Sequence, residues 1–343
     1  MIKIALRQNL KYPLQLLIWS VLRDIEGSLF NYYLKISDLL IKLPLMFFGE
    51  FLAGLIIYQY QKQFFYKKGG KEPAQFKSIE LIQTRHIFAK DNDIKIMFLM
   101  FSAAFFDFFV YKLYDSIYRY PNISGSIERR QRGLYTIFNA LFFIFVLRFP
   151  ILRHQKYSLI ILGICLLLVA FFEFIFQEIN IFLSYGELIL SFSFIIINEF
   201  FGALVDSIGK YLFEYNKINP FSELLFEGLF GFLISCIYCL FYNPFDEISK
   251  FKKVHSISDF IFLIFGLILY TILSGGKNCF RVMTTKTFTP MTTTYMSYIL
   301  NPFYMIFYFS AATDFMSNGK RNYLYFFNKF INFFYCLFLW LCL

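Results

Sequence analysis

The sequence predicts an all-α integral membrane protein of about ten transmembrane helices in two inverted five-helix repeats, with a weak first helix. Three observations predict it. The 343 residues are 58% hydrophobic and only 16% charged, whereas soluble domains are about 25% charged and about 45–50% apolar. Apolar runs recur along the chain at close to the length of about 20 residues that a bilayer crossing needs. The second and seventh runs also share a pattern, a carboxylate flanked by glycines.

Taken in order, Tyr12–Leu22 is a short apolar stretch ended by Arg23-Asp24. It is too short to span alone and lacks the small-residue cleavage site of a signal peptide. It therefore reads as a degraded or interfacial first helix. Leu39–Tyr60 is the first full span, followed by a basic loop that holds Lys62, Lys67, Lys68, Lys71, Lys77, Arg85 and Lys90. Further helices are expected at Ile94–Tyr118, Gly133–Phe149, Tyr157–Phe176, Ile181–Val205, Phe221–Tyr242, Ile257–Ile272, Met291–Ala312 and Tyr323–Leu343. The two halves divide at residues 1–180 and 181–343.

Charge and composition bound the function. The formal charge of +10 sits mostly at the edges of the apolar runs, where basic residues set membrane orientation. That placement argues against a nucleic-acid partner. Lys and Arg are more frequent in the loops after even-numbered helices than in those after odd-numbered ones. The even set includes Lys210 and Lys217 after helix six, and Lys277, Arg281 and Lys286 after helix eight. The positive-inside rule then puts these loops and both termini in the cytosol, and the sequon Asn122-Ile-Ser124 on the lumenal side. The six cysteines lie in or beside apolar runs and read as small buried hydrophobes. His86, His154 and His255 fall in basic connecting segments, which argues against a haem-bearing subunit with helical His ligands. No nucleophile, zinc-protease or phosphate-loop motif is present, so neither enzyme chemistry nor a cofactor is expected. The 51 Phe and 25 Tyr are too many for each aromatic cluster to mark a site.

Polar residues inside the runs are the informative ones, because a carboxylate in lipid is costly unless it faces a cavity or a partner. Helix two carries Phe48-Gly49-Glu50-Phe51-Leu52-Ala53-Gly54, and helix seven carries Phe226-Glu227-Gly228-Leu229-Phe230-Gly231. A five-plus-five split makes these two helices counterparts, and glycines let such helices approach closely. Asp107 lies in helix three, Asn139 in helix four, and Asn198, Glu199 and Asp206 in or at the end of helix six. Helix four opens on Arg129-Arg130-Gln131-Arg132. Its counterpart, helix nine, opens on a threonine-rich stretch that includes Lys286, Thr292 and Thr293, and is broken at Asn301-Pro302. Such a break is tolerated at membrane depth only where protein or a water-filled cavity lines it.

These residues resemble a known family. Asn219-Pro220 followed by Phe226-Glu227-Gly228-Leu229-Phe230-Gly231-Phe232 resembles the stretch opening helix seven of solute carrier family 35, F subfamily. Met46-Phe47-Phe48-Gly49-Glu50-Phe51 is similar to its helix two, and Arg132-Gly133 with Ile137-Phe138-Asn139-Ala140-Leu141-Phe142 to its helix four. Asn278 with Thr285-Lys286 resembles the approach to its helix nine, where the family keeps an arginine after a threonine pair and this chain has Thr293. The resemblance implies the drug/metabolite transporter fold and the carriage of small metabolites, as in nucleotide-sugar transporters.

The resulting expectation is a multi-pass carrier working by alternating access on a small metabolite, anionic ones included. Its candidate site comprises Glu50, Arg132, Asn139, Glu227, Lys286, Thr292, Thr293 and Asn301. Arg132 and Lys286 would attract the solute's charge, and Glu50 and Glu227 would gate or couple to a cation. The expected partners are the lipid bilayer and a small-molecule substrate, with a homodimer compatible. The expected location is an endomembrane (Golgi, lysosome or vacuole) in preference to a mitochondrial membrane. The competing expectation is a non-transporting structural subunit of a membrane complex, mitochondrial for example.

Overall fold

The computed structural model describes residues 11–34, 40–67, 93–119, 133–149, 153–176, 185–242 and 257–288. Among them are eight helices: α1 (Lys11–Leu34), α2 (Lys42–Lys67), α3 (Asp93–Arg119), α4 (Gly133–Phe145), α5 (Arg153–Phe176), α6 (Tyr185–Glu214), α7 (Pro220–Phe241) and α8 (Ile257–Thr287). They correspond in order to the first eight expected helices. The expected ninth and tenth, Met291–Ala312 and Tyr323–Leu343, lie outside the described residues.

Five of these helices contain stretches long and apolar enough to cross a membrane: Lys42–Tyr60, Ile94–Leu113, Phe192–Glu214, Pro220–Phe241 and Ile257–Thr287. The distribution of polarity is inverted relative to a water-soluble bundle. On α7 the residues at four-residue intervals, Glu223, Glu227, Gly231 and Ser235, are all buried, while Leu240 and Phe241 are 83% and 80% exposed. Since side chains four apart share a helix face, α7 turns a polar, small-residue stripe inward and an apolar one outward. That arrangement suits hydrocarbon, not water, and identifies the chain as a multi-pass membrane protein.

The chain divides into two compact units. The first takes residues 1–112 and 204–290 and holds α1, α2, most of α3, the end of α6, α7 and α8. Within it α2 is central, packed most extensively on α7 and next on α8, while α1 lies along α8. Glycines set these distances. A Cβ added at Gly49 or Gly275 would strike the backbone of the other helix, at Thr271 and Gly49 respectively. A Cβ at Gly228 would strike the backbone of Phe51. Aromatic contacts continue the seams, with Phe48 on Phe232 at 5.4 Å and Phe101 on Phe230 at 5.7 Å between ring centroids. In the second unit α4 packs on α5 through Leu134 and Ile137 against Leu162 and Leu166. It meets α6 through Phe138 and Phe142 on Phe200.

Helix ends depart from the sequence expectation where tertiary partners satisfy what looked like breakers. α1 runs straight through Arg23-Asp24, because Arg23 Nη2 donates to the Tyr270 hydroxyl of α8 at 3.1 Å and its guanidinium lies over that ring. α6 continues nine residues past Val205. α8 continues fifteen residues past Ile272, through Ser274-Gly275-Gly276. Lys277, Arg281 and Lys286 are therefore helical residues instead of a loop, and Lys210 is a buried residue of α6. The ammonium of Lys210 pairs with Glu214 at 2.8 Å and donates to the carbonyls of Lys286 and Phe288 at 3.1 and 2.7 Å. It thereby satisfies carbonyls at the end of α8, the end of a helix dipole that favours a cation. α4, by contrast, stops at Phe145, before the expected Phe149. Arg148 adopts a left-handed φ of 53°, and the next residue precedes a proline, which disfavours helix.

The turn between α6 and α7 is built from local chemistry. Lys217 takes φ 53° and Ile218 N donates to Leu212 O at 3.2 Å, closing α6 with a six-residue loop-back of the kind that accompanies a left-handed cap. Asn219 Oδ1 then accepts from Phe221 N at 3.0 Å, with Pro220 in the first turn, where no amide bond is lost.

Replacing Gly275 by Leu should lower the thermal unfolding midpoint of the detergent-purified protein, with a loss of about 1–3 kcal/mol as for overpacked cores. Gly27, beside which an added Cβ would meet nothing within 4 Å, is the control. Gly27→Ala should leave stability unchanged or raise it by up to about 1 kcal/mol, as expected for a helical glycine with open space beside it. Equal effects at the two positions would refute the close-approach role.

Candidate functional site

Five buried carboxyl groups of the first unit, with Arg281, gather on five helices. Glu50 lies near the middle of the α2 span and is fully buried. Because Gly49 and Gly275 bring α2 and α8 together one turn earlier, Asn278 of α8 reaches Glu50 and donates its amide to Oε1. Glu50 Oε2 has no hydrogen-bond partner. On α7, Glu227 is 1% exposed and sits one turn after Glu223. On α8, Arg281 Nη2 is 3.5 Å from Glu227 Oε1 and Nη1 is 3.7 Å from Asp206 Oδ1 of α6. Asp107 of α3 lies in electrostatic reach of Arg281 and Asp206, and Glu50 in reach of Asp107, Glu227 and Arg281. Five carboxyl groups thus share one field around Arg281.

The ion pairs are long. Charge-assisted N–H···O bonds close to about 2.7–2.9 Å, so Arg281 is shared between Glu227 and Asp206 without gripping either. A narrow cleft runs past it, lined by Asp206, Gly209, Glu223, Glu227, Arg281 and Thr285 among others, with room for a water-sized group. Gly209 keeps it open: a Cβ there would stand 3.0 Å from Glu223 Oε1. Glu223 is 4% exposed, and its Oε2 has no hydrogen-bond partner. Among the described residues, no group of three or more His, Cys, Asp or Glu is placed to hold a metal ion.

Of the residues expected from sequence, the structure brings Glu50 and Glu227 into this one cluster. Lys286 is not at the start of a ninth helix but in the last turn of α8, where its carbonyl accepts from Lys210. Asn139 is buried on α4 in the second unit, and neither of its side-chain polar atoms has a partner. Arg132, Thr292, Thr293 and Asn301 lie outside the described residues. Sequence reasoning missed Arg281, Glu223 and Gly209, and met Asn278 only through a resemblance. The signal was present: Asn278, Arg281 and Thr285 follow the three- and four-residue spacing of one helix face. It was hidden by ending helix eight at Ile272.

Arg281→Gln should leave buried carboxylates uncompensated and destabilise the protein by about 1–3 kcal/mol, below the range for a fully buried pair because Arg281 is partly exposed and its contacts are long. The double variant Arg281→Gln/Glu227→Gln should recover part of that loss. Thermal unfolding of the four proteins as a cycle checks this, and strict additivity would show that the two side chains do not act on each other.

Comparison with protein-family models and with curated proteins returned no match.

Proposed function

We propose that the chain is a multi-pass membrane carrier that moves a small solute by alternating access, with its solute site at the charged cluster of α2, α3, α6, α7 and α8. One observation carries this reading. Glu50, Asp107, Asp206, Glu223 and Glu227 are buried inside apolar, membrane-length helices, with the partly buried Arg281 among them. Purely structural packing needs no such charges, and ionisable residues within spans mark substrate and ion pathways. The long Arg281 pairs support it further, because a carrier must exchange partners at its site and tight bidentate pairing would oppose that. The presence of Glu50 of α2 and Glu227 of α7 in one electrostatic cluster, on helices expected to be repeat counterparts, supports a site where two halves face each other. So does the resemblance of both helices to solute carrier family 35, F subfamily; in this reading the chain sits in an endomembrane, and the distribution of Lys and Arg puts both termini in the cytosol. In this reading Glu227 and Glu50 couple solute movement to a cation.

Uptake into proteoliposomes, screened over nucleotides, nucleotide sugars, amino acids, peptides and amines, tests the proposal. A transported solute should lose about tenfold or more of its uptake rate in Glu227→Gln, with elution volume and unfolding midpoint close to wild type. Undiminished uptake by that variant refutes the coupling role. No uptake above protein-free vesicles across the panel favours the structural-subunit alternative.

A further inference from the structure

The cleft between α6, α7 and α8 has a charge balance that narrows what can enter it. Three carboxyl groups line it, from Asp206, Glu223 and Glu227, and among the described residues one guanidinium, that of Arg281, does so. Lys210 follows Gly209 directly in sequence, but its ammonium is directed to Glu214 and to the carbonyls of Lys286 and Phe288. Arg281 stands 3.5 Å from Glu227 and 3.7 Å from Asp206. Glu223 Oε2, on a side chain 4% exposed, accepts from nothing. A buried carboxylate oxygen without a donor is expensive, and the Glu223 side chain lines the cleft, with its other oxygen, Oε1, facing the room that Gly209 leaves.

We propose that this cleft binds the ammonium head of a small cationic solute, held by Glu223 together with Asp206 and Glu227 beside Arg281. An anion would add charge of the same sign as the three carboxylates in a site where like charges repel strongly. A metal ion needs several ligands converging on one point, and the described residues offer no such set. An ammonium carries three N–H donors that rotate freely on its stem, so it can satisfy acceptors that do not converge. The room for a water-sized group admits that head and excludes a quaternary one. The assignment deepens the carrier reading and rests on it for the cleft's role in transport; binding itself does not depend on transport. It also differs from the anionic solute that Arg132 and Lys286 led the sequence to imply.

The test uses the full chain in detergent at pH 7 and constant ionic strength, titrated with methylammonium chloride. Thermal unfolding and binding of radiolabelled methylammonium are the readouts. Methylammonium should bind saturably and raise the unfolding midpoint, while sodium chloride and tetramethylammonium chloride do neither. Glu223→Gln should weaken methylammonium binding at least tenfold. Gly209→Ala, whose added methyl presses on the Glu223 carboxyl, should weaken it several-fold and keeps the test alive if Glu223→Gln does not fold. Equal binding by wild type and both variants overturns the proposal, as does an equal response to sodium or tetramethylammonium. Transport of some other solute without methylammonium binding overturns the ammonium site and leaves the carrier standing. Methylammonium binding without any transport does the reverse.

Discussion

Everything in the first unit depends on how Arg281 is compensated. A guanidinium in hydrocarbon is tolerated only when it is paired or faces a polar interior, and α8 could not keep this residue in a membrane-length helix without partners on other helices. Glu227 of α7 and Asp206 of α6 supply them. The pairing in turn fixes the rotation of three helices, since each must point one particular face inward. On α7 that face is the stripe of Glu223, Glu227, Gly231 and Ser235. With the polar stripes turned inward, the exposed surface is left to residues such as Ile94, Leu240 and Ile257, which suit lipid.

Close approach is the second constraint and serves the first. Apolar side chains gain little by moving from lipid into a helix interface, so packing in a membrane relies on shape and on small residues. Gly49 against Gly275, and Gly228 against the backbone of Phe51, let α2 lie directly on α8 and α7. Only at that distance can the amide of Asn278 reach the carboxyl of Glu50. The glycines beside the carboxylates are therefore part of the same device: they bring the backbones together so that short polar side chains meet.

The same logic explains which side chains are left incompletely satisfied. Packing settled the helices, yet Glu50 Oε2 and Glu223 Oε2 lack hydrogen-bond partners, and Gly209 leaves room beside the Oε1 of Glu223. Unpaired polar atoms at positions this buried oppose folding. Natural chains retain such local violations chiefly at functional sites.

The existence, type and order of the first eight helices were legible in the sequence, because the length of an apolar run is a local property and the bilayer thickness sets its minimum. The start of α7 is set locally, since Asn219-Pro220 carries its capping chemistry in adjacent residues. Glu50 and Glu227 stood out in the sequence as two matching patterns, though not as members of one electrostatic cluster. Tertiary structure alone decided where α1, α6 and α8 end. Arg23-Asp24, Asp206 and Ser274-Gly275-Gly276 look like stops, and whether each one breaks a helix depends on Tyr270, Arg281 and Gly49, which lie far away along the chain. Arg281 became the centre of the site for the same reason. A charge beside an apolar run is a loop residue if water solvates it and a buried ligand if carboxylates from two other helices do, and no local pattern distinguishes the two.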